Sequence, residues 1–257
     1  MKPIKVRGLV LREYEAGESD KRIMIFCKGQ GRLMVYARGA RKASSKFMAA
    51  AQLFTYADFV LVQGRGFYSL TQADIIESFY PLREDYDRLM AAHLIAEACE
   101  KTLWDDIESD ALLLLALRSL SVLARGKIAP LQVVCVFLMR FFDAYGLRPQ
   151  TDACVICNAP IDGTPLTTTM GGKFKICTEG LMCPSHSHQV GSLDMPSTAQ
   201  YRYLSAQGVL ALQYVLDSDL PQAFQFNVHI SVLQELRNAA NFLWVSHFEW
   251  EFRAGFV

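Results

Sequence analysis

Four cysteines lie close together in the second half of the chain, at a spacing that suits a metal ion. They are Cys154, Cys157, Cys177 and Cys183. A Cys-x-x-Cys turn such as the first pair directs both thiolates at one ion, and two further ligands from another turn complete a tetrahedral site. The sequence therefore predicts a structural Zn2+ bound by these four residues. His186 or His188 could replace Cys183 as the fourth ligand.

The same motifs give little support to catalysis. A zinc deaminase needs a His-x-Glu sequence ahead of the cysteine pair, whereas His247-Phe-Glu249 follows it in an aromatic C-terminal segment. The sequence contains no P-loop, no nucleophile elbow and no HExxH helix. We therefore expect a protein that is not an enzyme.

A second group of residues could bind a polyanion. Between Gly29 and Lys46 the sequence GQGRLMVYARGARKASSK alternates as a strand does. One side carries Arg32, Met34, Tyr36 and Arg38, and the other carries Leu33, Val35 and Ala37. A loop with further cations follows. This arrangement predicts one face for a protein core and one face for a nucleic-acid backbone.

The predicted DNA-binding residues have three roles. Phosphate neutralisation is assigned to Arg38, Arg41, Lys42 and Lys46, extension of that surface to Lys5, Arg7 and Arg32, and base stacking to Tyr36. The net charge of the chain is zero, but residues 1–80 carry 13 basic and 7 acidic side chains, a balance of plus six. The concentration of positive charge favours a nucleic-acid contact over a merely solvated surface.

Two kinds of element must position these residues. Predicted strands at 5–12, 23–28, 31–38, 54–62 and 67–78 fit a small barrel of the OB type, although a sandwich or an SH3-like barrel has similar spacing. Gly64-Arg65-Gly66 is predicted to form the hairpin turn between the last two strands. Predicted helices follow at 85–104, 108–126, 130–146, 197–217 and 228–246, and the third is expected to begin at Pro130 and to stop at Gly146. The predicted fold is α+β and multidomain: an OB-fold domain at 1–80, an all-α domain at 81–147 and 196–246, an inserted zinc finger at 148–195 and a tail at 247–257.

Composition places the protein among cytoplasmic proteins. Half of the residues are apolar, yet there is no run of 18 apolar residues, and the first residues have no signal-peptide core. Seven cysteines in 257 residues are too few for a disulfide scaffold, and their clustering favours a metal. We expect a cytoplasmic protein that is associated with the nucleoid when it is bound to DNA.

Several short motifs, taken in order, resemble the RecO family of recombination mediators. They are Gly8-Leu-Val-Leu-Arg12, Gly17-Glu-Ser-Asp20, Gly31-Arg32, Arg38-Gly-Ala-Arg-Lys42 with Ser45, Gln52-Leu-Phe54, the run from Leu138 to Pro149, the Cys154 to Cys157 pair, and Gly171-Gly172 before Cys177. The match extends from residue 4 to about residue 185. Each motif is weak alone, but their common order is specific.

The resemblance implies an N-terminal OB fold, a helical domain with a zinc finger, and a non-enzymatic role. That role is to bind single- and double-stranded DNA, to anneal complementary strands and, with RecR, to help load RecA onto DNA covered by single-stranded-DNA-binding protein, whose acidic C-terminal tail the family contacts. The family usually closes its finger with a second Cys-x-x-Cys, whereas Cys177 and Cys183 are separated by five residues. The fourth ligand therefore stays open.

Two other functions remain compatible with the residues. The protein could be an RNA-binding OB protein, or an adaptor whose basic face binds an acidic protein. Competition between matched DNA and RNA strands distinguishes the first, and negligible binding to a short oligonucleotide at moderate salt would indicate the second. The sequence determines neither the residues of a partner-tail pocket nor the oligomeric state and the stoichiometry with RecR.

Overall fold

A computed structural model describes residues 2–64, 66–104, 107, 109–161, 173–187 and 201–253. Contacts divide the chain into a first compact unit that contains Met1–Lys127 and a second unit, Ile128–Arg253. This division falls between the second and third long helices, and not where strands give way to helices. The domain bounds given above, which follow the change from strands to helices, stay a prediction.

Five strands of the first unit form a closed barrel. They are β1 (Pro3–Ala16), β2 (Asp20–Cys27), β3 (Gly31–Ala37), β4 (Tyr56–Gln63) and β5 (Tyr68–Glu77). The order around the barrel is β1-β2-β3-β5-β4, and neighbouring strands are antiparallel except β3 and β5. This is the five-stranded topology of an OB fold, so the predicted barrel is confirmed.

Alternation along β3 separates the barrel core from the outer surface. Leu33, Val35 and Ala37 are buried, whereas Met34 is exposed and Tyr36 is half-buried. Neighbouring core residues come from the other strands and include Val10, Ile23, Ile25, Phe59 and Leu61. Because successive strand residues face opposite sides, burying one set fixes the other set on the outside. The predicted two-sided strand is confirmed.

A glycine turn joins β4 to β5, as predicted. The backbone N–H of Gly64 donates to the carbonyl of Phe67 at 2.7 Å. Gly66 has φ 83°, a left-handed conformation in which a side chain would be strained. Arg65, the middle residue of this predicted turn, lies outside the described residues.

Helices of the first unit pack against the barrel. A 3-10 helix (Tyr80–Glu84) precedes α1 (Tyr86–Thr102) and α2 (Asp110–Arg125). Helix α1 begins at Asp85, whose carboxylate accepts from the backbone N–H of Arg88 at 2.9 Å. Arg12 of β1 donates from Nη1 to both carboxylate oxygens of Glu100 in α1, at 2.9 and 2.8 Å. This ion pair holds α1 against the barrel wall.

The second unit has a helical core. Its helices are α3 (Pro130–Ala144), the short α4 (Pro184–Ser187), α5 (Ala206–Asp217) and α6 (Ile230–Phe248). Trp244 of α6 is completely buried, and its ring lies 4.9 Å from that of Phe141 in α3. The predicted proline start of α3 and glycine stop after it are confirmed, since Pro130 is its first residue and Gly146 has φ 80°.

A small antiparallel sheet completes the second unit. It contains β6 (Phe174–Ile176), β7 (Leu181–Met182) and β8 (Arg202–Leu204), in the order β7-β6-β8. The helix predicted at 197–217 is therefore wrong at its start, and its first residue, Ser197, lies outside the described residues. The observed helix begins at Ala206 because the Ser205 hydroxyl accepts from the backbone N–H of Gly208 at 3.0 Å.

Candidate nucleic-acid interface and metal centre

The segment after β3, residues 38–46, is called the basic loop here. Residues at the turn between β1 and β2 form hydrogen bonds with the first residues of this loop. The Asp20 carboxylate accepts from the backbone N–H of Gly39 at 2.7 Å and from the Ser19 hydroxyl at 3.1 Å. The bond from Gly39 lowers the pKa of Asp20 most, and the charges of Arg38 and Lys42 lower it further. Asp20 therefore fixes the backbone from which the loop cations project.

Arg41 contributes both charge and anchoring. Its Nη1 donates to the carbonyl of Gly17 at 2.9 Å, and its Nη2 lies 3.1 Å from Oε1 of Glu15. Its backbone N–H donates to the carbonyl of Ser19 at 3.0 Å. The structure therefore joins the basic loop to the Gly17-Glu-Ser-Asp20 turn through several independent hydrogen bonds.

The other loop cations face solvent. Arg38 and Lys42 are exposed, and neither forms an ion pair within the described part of the chain. Lys46 is also exposed, and its Nζ donates to the carbonyl of Thr71 in β5 at 3.3 Å. The structure thus brings Arg38 and Lys42 close to Asp20, joins Arg41 to the turn that precedes Asp20, and places Lys46 at the far end of the loop.

A row of side chains crosses the outer face of β1, β2 and β3 and ends at Phe67, which directly precedes β5. Its members, called the aromatic row here, are Tyr14, Arg22, Tyr36 and Phe67. The guanidinium carbon of Arg22 lies 5.6 Å from the ring centroid of Tyr14 and 6.0 Å from that of Tyr36. The Phe67 ring packs edge-on against Tyr36 at 5.1 Å. Cations interleaved with aromatic rings are typical of single-strand binding surfaces.

Sequence reasoning named only Tyr36 of this row. The other members were missed because their proximity depends on strand register, which pairs Arg22 with Tyr14 on one side and with Tyr36 on the other. The alternation of polar and apolar residues in β1 gave no such signal, since Glu13 and Glu15, which flank Tyr14, are more exposed than Tyr14.

The three remaining predicted DNA contacts lie away from the basic loop along their strands. Lys5 and Arg7 belong to β1, where Arg7 donates two hydrogen bonds to Asp58 of β4, at 2.7 and 2.8 Å. Arg32 of β3 donates to the backbone carbonyl of Glu100 at 3.2 Å. Arg7 and Arg32 are therefore engaged with protein groups that the loop cations do not contact.

The metal cluster consists of Cys154, Cys157, Cys183 and His186, whose ligand atoms all lie within 4.8 Å of one another. The Sγ atoms of Cys157 and Cys183 are 3.9 Å apart, and Nδ1 of His186 lies 3.2 Å from Sγ of Cys183 and 3.9 Å from Sγ of Cys154. Tetrahedral zinc with thiolate bonds of about 2.3 Å separates its ligands by about 3.8 Å. The donor set and spacing therefore fit a metal site.

The predicted ligand set changes in one member. Cys177 lies outside the metal cluster, buried, with its thiol directed at the carbonyl of Gly180 at 3.3 Å. His186, proposed from the sequence as a replacement for Cys183, instead joins Cys183. The reason is the order of the elements: Cys177 directly follows β6, whereas Cys183 follows β7 and leads directly into α4, which contains His186. His188 lies outside the described residues.

Backbone donors favour the thiolate form of one cysteine in the metal cluster, Cys154. Burial raises the pKa of Cys154, but backbone N–H groups, first those of Cys157 and Cys183, lower it to a net value of about 6. The bond from Cys183 is 3.3 Å long. Cys27 and Cys135, which lie elsewhere, have pKa values of about 12 because burial disfavours their thiolates. Cys154 thus favours the anionic ligand form, unlike these two buried thiols, whereas burial raises the pKa of Cys183 within the same cluster.

The fold and the two sites define a protein with an N-terminal OB-type barrel and a helical second unit that contains a cysteine and histidine cluster. The family descriptions "Recombination protein O N terminal" and "Recombination protein O C terminal" match residues 1–79 and 83–251. The chain therefore belongs to the recombination protein O family, whose role is DNA repair and recombination. The resemblance inferred from the sequence is confirmed.

Individual relatives agree with this assignment. "DNA repair protein RecO" of Acetivibrio thermocellus is 32% identical over 237 residues, which cover 92% of this chain and 88% of that protein. The protein of the same name from Alkaliphilus metalliredigens is 30% identical over 226 residues, 88% of this chain and 86% of the relative. The corresponding Bacillus mycoides protein is 29% identical and covers 72% of this chain.

Within the described ranges, every helix is too short or too polar to span a membrane.

Proposed function

We propose that this protein is a DNA repair and recombination mediator that binds single- and double-stranded DNA and anneals complementary strands. With RecR it assists the loading of RecA onto DNA covered by single-stranded-DNA-binding protein. The observation that carries the proposal is the basic loop, whose exposed Arg38 and Lys42 stand beside the aromatic row on an OB-type barrel. This activity is carried out in the cytoplasm, where the chromosome is located, and needs no catalytic group.

Annealing follows from charge neutralisation. Two DNA strands repel each other because each carries one negative charge per phosphate, and a protein that neutralises phosphates on both lowers the barrier to pairing. Base edges must remain accessible, so the contacts are to phosphates and to the faces of bases. We assign phosphate contacts to Arg38, Arg41, Lys42 and Lys46.

The outer barrel surface extends this contact. Tyr36 offers a ring on which a base can stack, and Arg22 keeps a positive charge between Tyr36 and Tyr14. Lys5, Arg7 and Arg32 remain in the proposed interface as a secondary set. The hydrogen bonds of Arg7 and Arg32 to protein groups favour a smaller contribution from these two residues.

We further propose that Cys154, Cys157, Cys183 and His186 hold a structural Zn2+. When bound, zinc supplies a cross-link between chain segments and no redox chemistry. The chain contributes two turns: Cys154 and Cys157 come from one, and Cys183 and His186 from the start of α4. Four protein ligands leave no position for a substrate, so the centre stabilises the fold of the second unit.

The two proposed protein partners rest on family membership. They are RecR and the acidic C-terminal tail of single-stranded-DNA-binding protein. Charge complementarity supports an acidic partner only in general terms, because the concentration of positive charge in the first eighty residues would attract any polyanion. Pull-down of RecR by the full chain at moderate salt, with and without an oligonucleotide competitor, separates a specific contact from charge attraction.

The central experiment mixes the full chain with two complementary DNA strands and follows pairing by fluorescence. Pairing faster than the spontaneous rate supports the proposal, and slow pairing despite tight binding would overturn the annealing activity. Matched RNA strands serve as competitors, because preferential binding to RNA would indicate an RNA-binding protein. Negligible binding to either oligonucleotide at moderate salt would indicate an adaptor for acidic proteins.

A further inference from the structure

The small sheet of the second unit has one face made of lysines and tyrosines. Lys175 of β6 pairs with Tyr203 of β8, and alternation places Lys173 and Tyr201 on the same side. The Tyr201 and Tyr203 rings meet edge to face at 5.4 Å. This surface, composed of Lys173, Lys175, Tyr201 and Tyr203, is called the Lys-Tyr face. Arg202 points to the opposite side, where its guanidinium carbon lies 5.1 Å from the Phe242 ring.

Lys175 is an unusual component of this face. Its side chain is only 1% exposed, and among the described residues no carboxylate forms an ion pair with it. Its Nζ instead lies 3.8 Å from the ring centroid of Tyr201 and 5.5 Å from that of Tyr203. Buried lysines are rare and are usually paired with an acid. Here the cation lies beneath two rings, one of which is half exposed.

The rings of Tyr201 and Tyr203 lie over the buried ammonium group of Lys175 and reach the protein surface. The neighbouring Tyr203 hydroxyl and Lys175 ammonium lower the pKa of Tyr201. The Tyr201 hydroxyl can donate a hydrogen bond to an external acceptor. Tyr203 is 50% exposed, and Lys173, whose Nζ lies 6.0 Å from the Tyr203 ring centroid, is exposed. A ring face, a hydroxyl donor and an exposed cation thus lie side by side.

We propose that the Lys-Tyr face is a second binding surface for single-stranded DNA, separate from the barrel. The Tyr203 ring stacks on a base, and the Tyr201 hydroxyl and the Lys173 ammonium contact a phosphate. The chemistry of the face is complementary to a single strand because it combines an aromatic platform with cations and, among its described side chains, has no carboxylate. The inference rests on the proposed DNA binding and gives the second strand of an annealing reaction its own contacts.

The test uses the full chain in which the basic-loop residues Arg38, Arg41, Lys42 and Lys46 are changed to alanine, with a fluorescent oligo-dT probe. We expect residual binding, which Tyr203→Ala weakens by between about fivefold and about a hundredfold, the range for losing one stacked base. Tyr203→Phe should retain the residual binding to oligo-dT. Lys173→Ala should lower the slope of log K against log salt by about 0.7, the value for one phosphate contact.

Arg202→Ala is the matched control, because it removes one exposed cation from the same strand on the opposite face. It should leave binding unchanged. Equal binding by Tyr203→Ala, Lys173→Ala and the loop variant alone would overturn the inference while leaving the barrel site intact. Absence of binding by the wild-type chain would instead refute the proposed function. If Tyr203→Ala does not fold, Lys173→Ala decides the question, since it conserves the packing of the tyrosines over Lys175.

Discussion

The basic loop and the metal cluster arrange their functional atoms in opposite ways. The loop spreads its cations along an exposed segment, whose backbone is held by hydrogen bonds of its own turns and by bonds to Ser19 and Asp20. In the metal cluster, by contrast, the four ligand atoms lie close together, all within 4.8 Å of one another. Neutralisation of a polyanion depends mainly on the number of charges, whereas coordination depends on the position of each atom. Single changes should therefore have graded effects in the loop and all-or-none effects in the cluster.

The largest effect is expected in the metal cluster. Cys154→Ser should abolish zinc binding, because a structural site loses one of its four ligands and the ion contributes directly to folding. The wild-type chain should contain about one zinc per chain, and chelation should lower the melting temperature of the protein. Metal analysis by mass spectrometry measures the first effect and calorimetry the second.

Cys177→Ser is the matched control for that prediction. The serine hydroxyl can replace the thiol that is directed at the carbonyl of Gly180, and Cys177 is not in the metal cluster. Full zinc occupancy is therefore expected in this variant, with loss of zinc in His186→Ala. The reverse result, zinc lost with Cys177→Ser and kept with His186→Ala, would restore the four-cysteine site predicted from the sequence.

A smaller effect is expected in the aromatic row. Tyr36→Ala should weaken binding of single-stranded DNA by about 1–3 kcal/mol, the amount associated with one stacked base, without changing the salt slope. Tyr36→Phe should bind as the wild type does. Tyr86→Ala, which removes an exposed tyrosine on α1, serves as the control. A change in slope with little change in affinity would mean that Tyr36 supports the loop and does not stack.

Variants of Asp20 test whether DNA binding requires the hydrogen bond between the Asp20 carboxylate and the backbone of the basic loop. Asp20→Asn keeps an acceptor for the Gly39 N–H and removes a negative charge, so it should bind DNA at least as tightly as the wild type. Asp20→Ala loses the acceptor and should bind a few-fold more weakly, although it also removes the charge. Tighter binding by both variants in an equilibrium titration would show that Asp20 acts only through its charge.

The same residue predicts a pH dependence of stability. Hydrogen bonds hold the pKa of Asp20 below its ordinary value of 3.8 in the folded protein. Its stabilising contribution is then fully present above the unfolded pKa and is lost as the pH falls through the lowered folded pKa. The melting temperatures of wild type and Asp20→Ala should therefore differ at neutral pH and converge in acid. A constant difference across that range would contradict this role for the carboxylate.

The smallest effect is expected at Arg7. Its guanidinium is held by two hydrogen bonds to Asp58, so it is less available to a phosphate than the exposed Lys42. Arg7→Ala should change the salt slope less than Lys42→Ala does. Equal changes would extend the DNA interface to the junction of β1 and β4.

The barrel could be predicted from the sequence because its signals are local. Alternation in β3 and the glycine turn before Phe67 each determine a short segment, and the structure agrees with both. The aromatic row could not be predicted in full, since Tyr14, Arg22 and Tyr36 become neighbours only through the register of three strands.

The ligands of the metal cluster could likewise be predicted only in part from the sequence. Spacing identified the cysteines, but the choice between Cys177 and His186 depends on how β6, β7 and α4 follow one another in space. Spacing also failed at residues 202–204, where an apolar and aromatic segment forms a strand through pairing with β6 and not a helix. The second difference comes from pairing between segments that are distant in sequence, and the first from the order of β6, β7 and α4.

The most direct test of the account is the salt dependence of binding to a fluorescent poly-dT strand. Alanine replaces Arg38, Arg41, Lys42 and Lys46 in one variant, and the exposed cations Lys2, Lys28, Arg125 and Lys127 in a charge-matched control. The slope of log K against log salt should fall by about 0.7 per lost phosphate contact, hence by up to about 2.8, in the loop variant. It should stay close to the wild-type value in the control. Equal slopes for all three proteins would contradict the assignment of DNA to the basic loop.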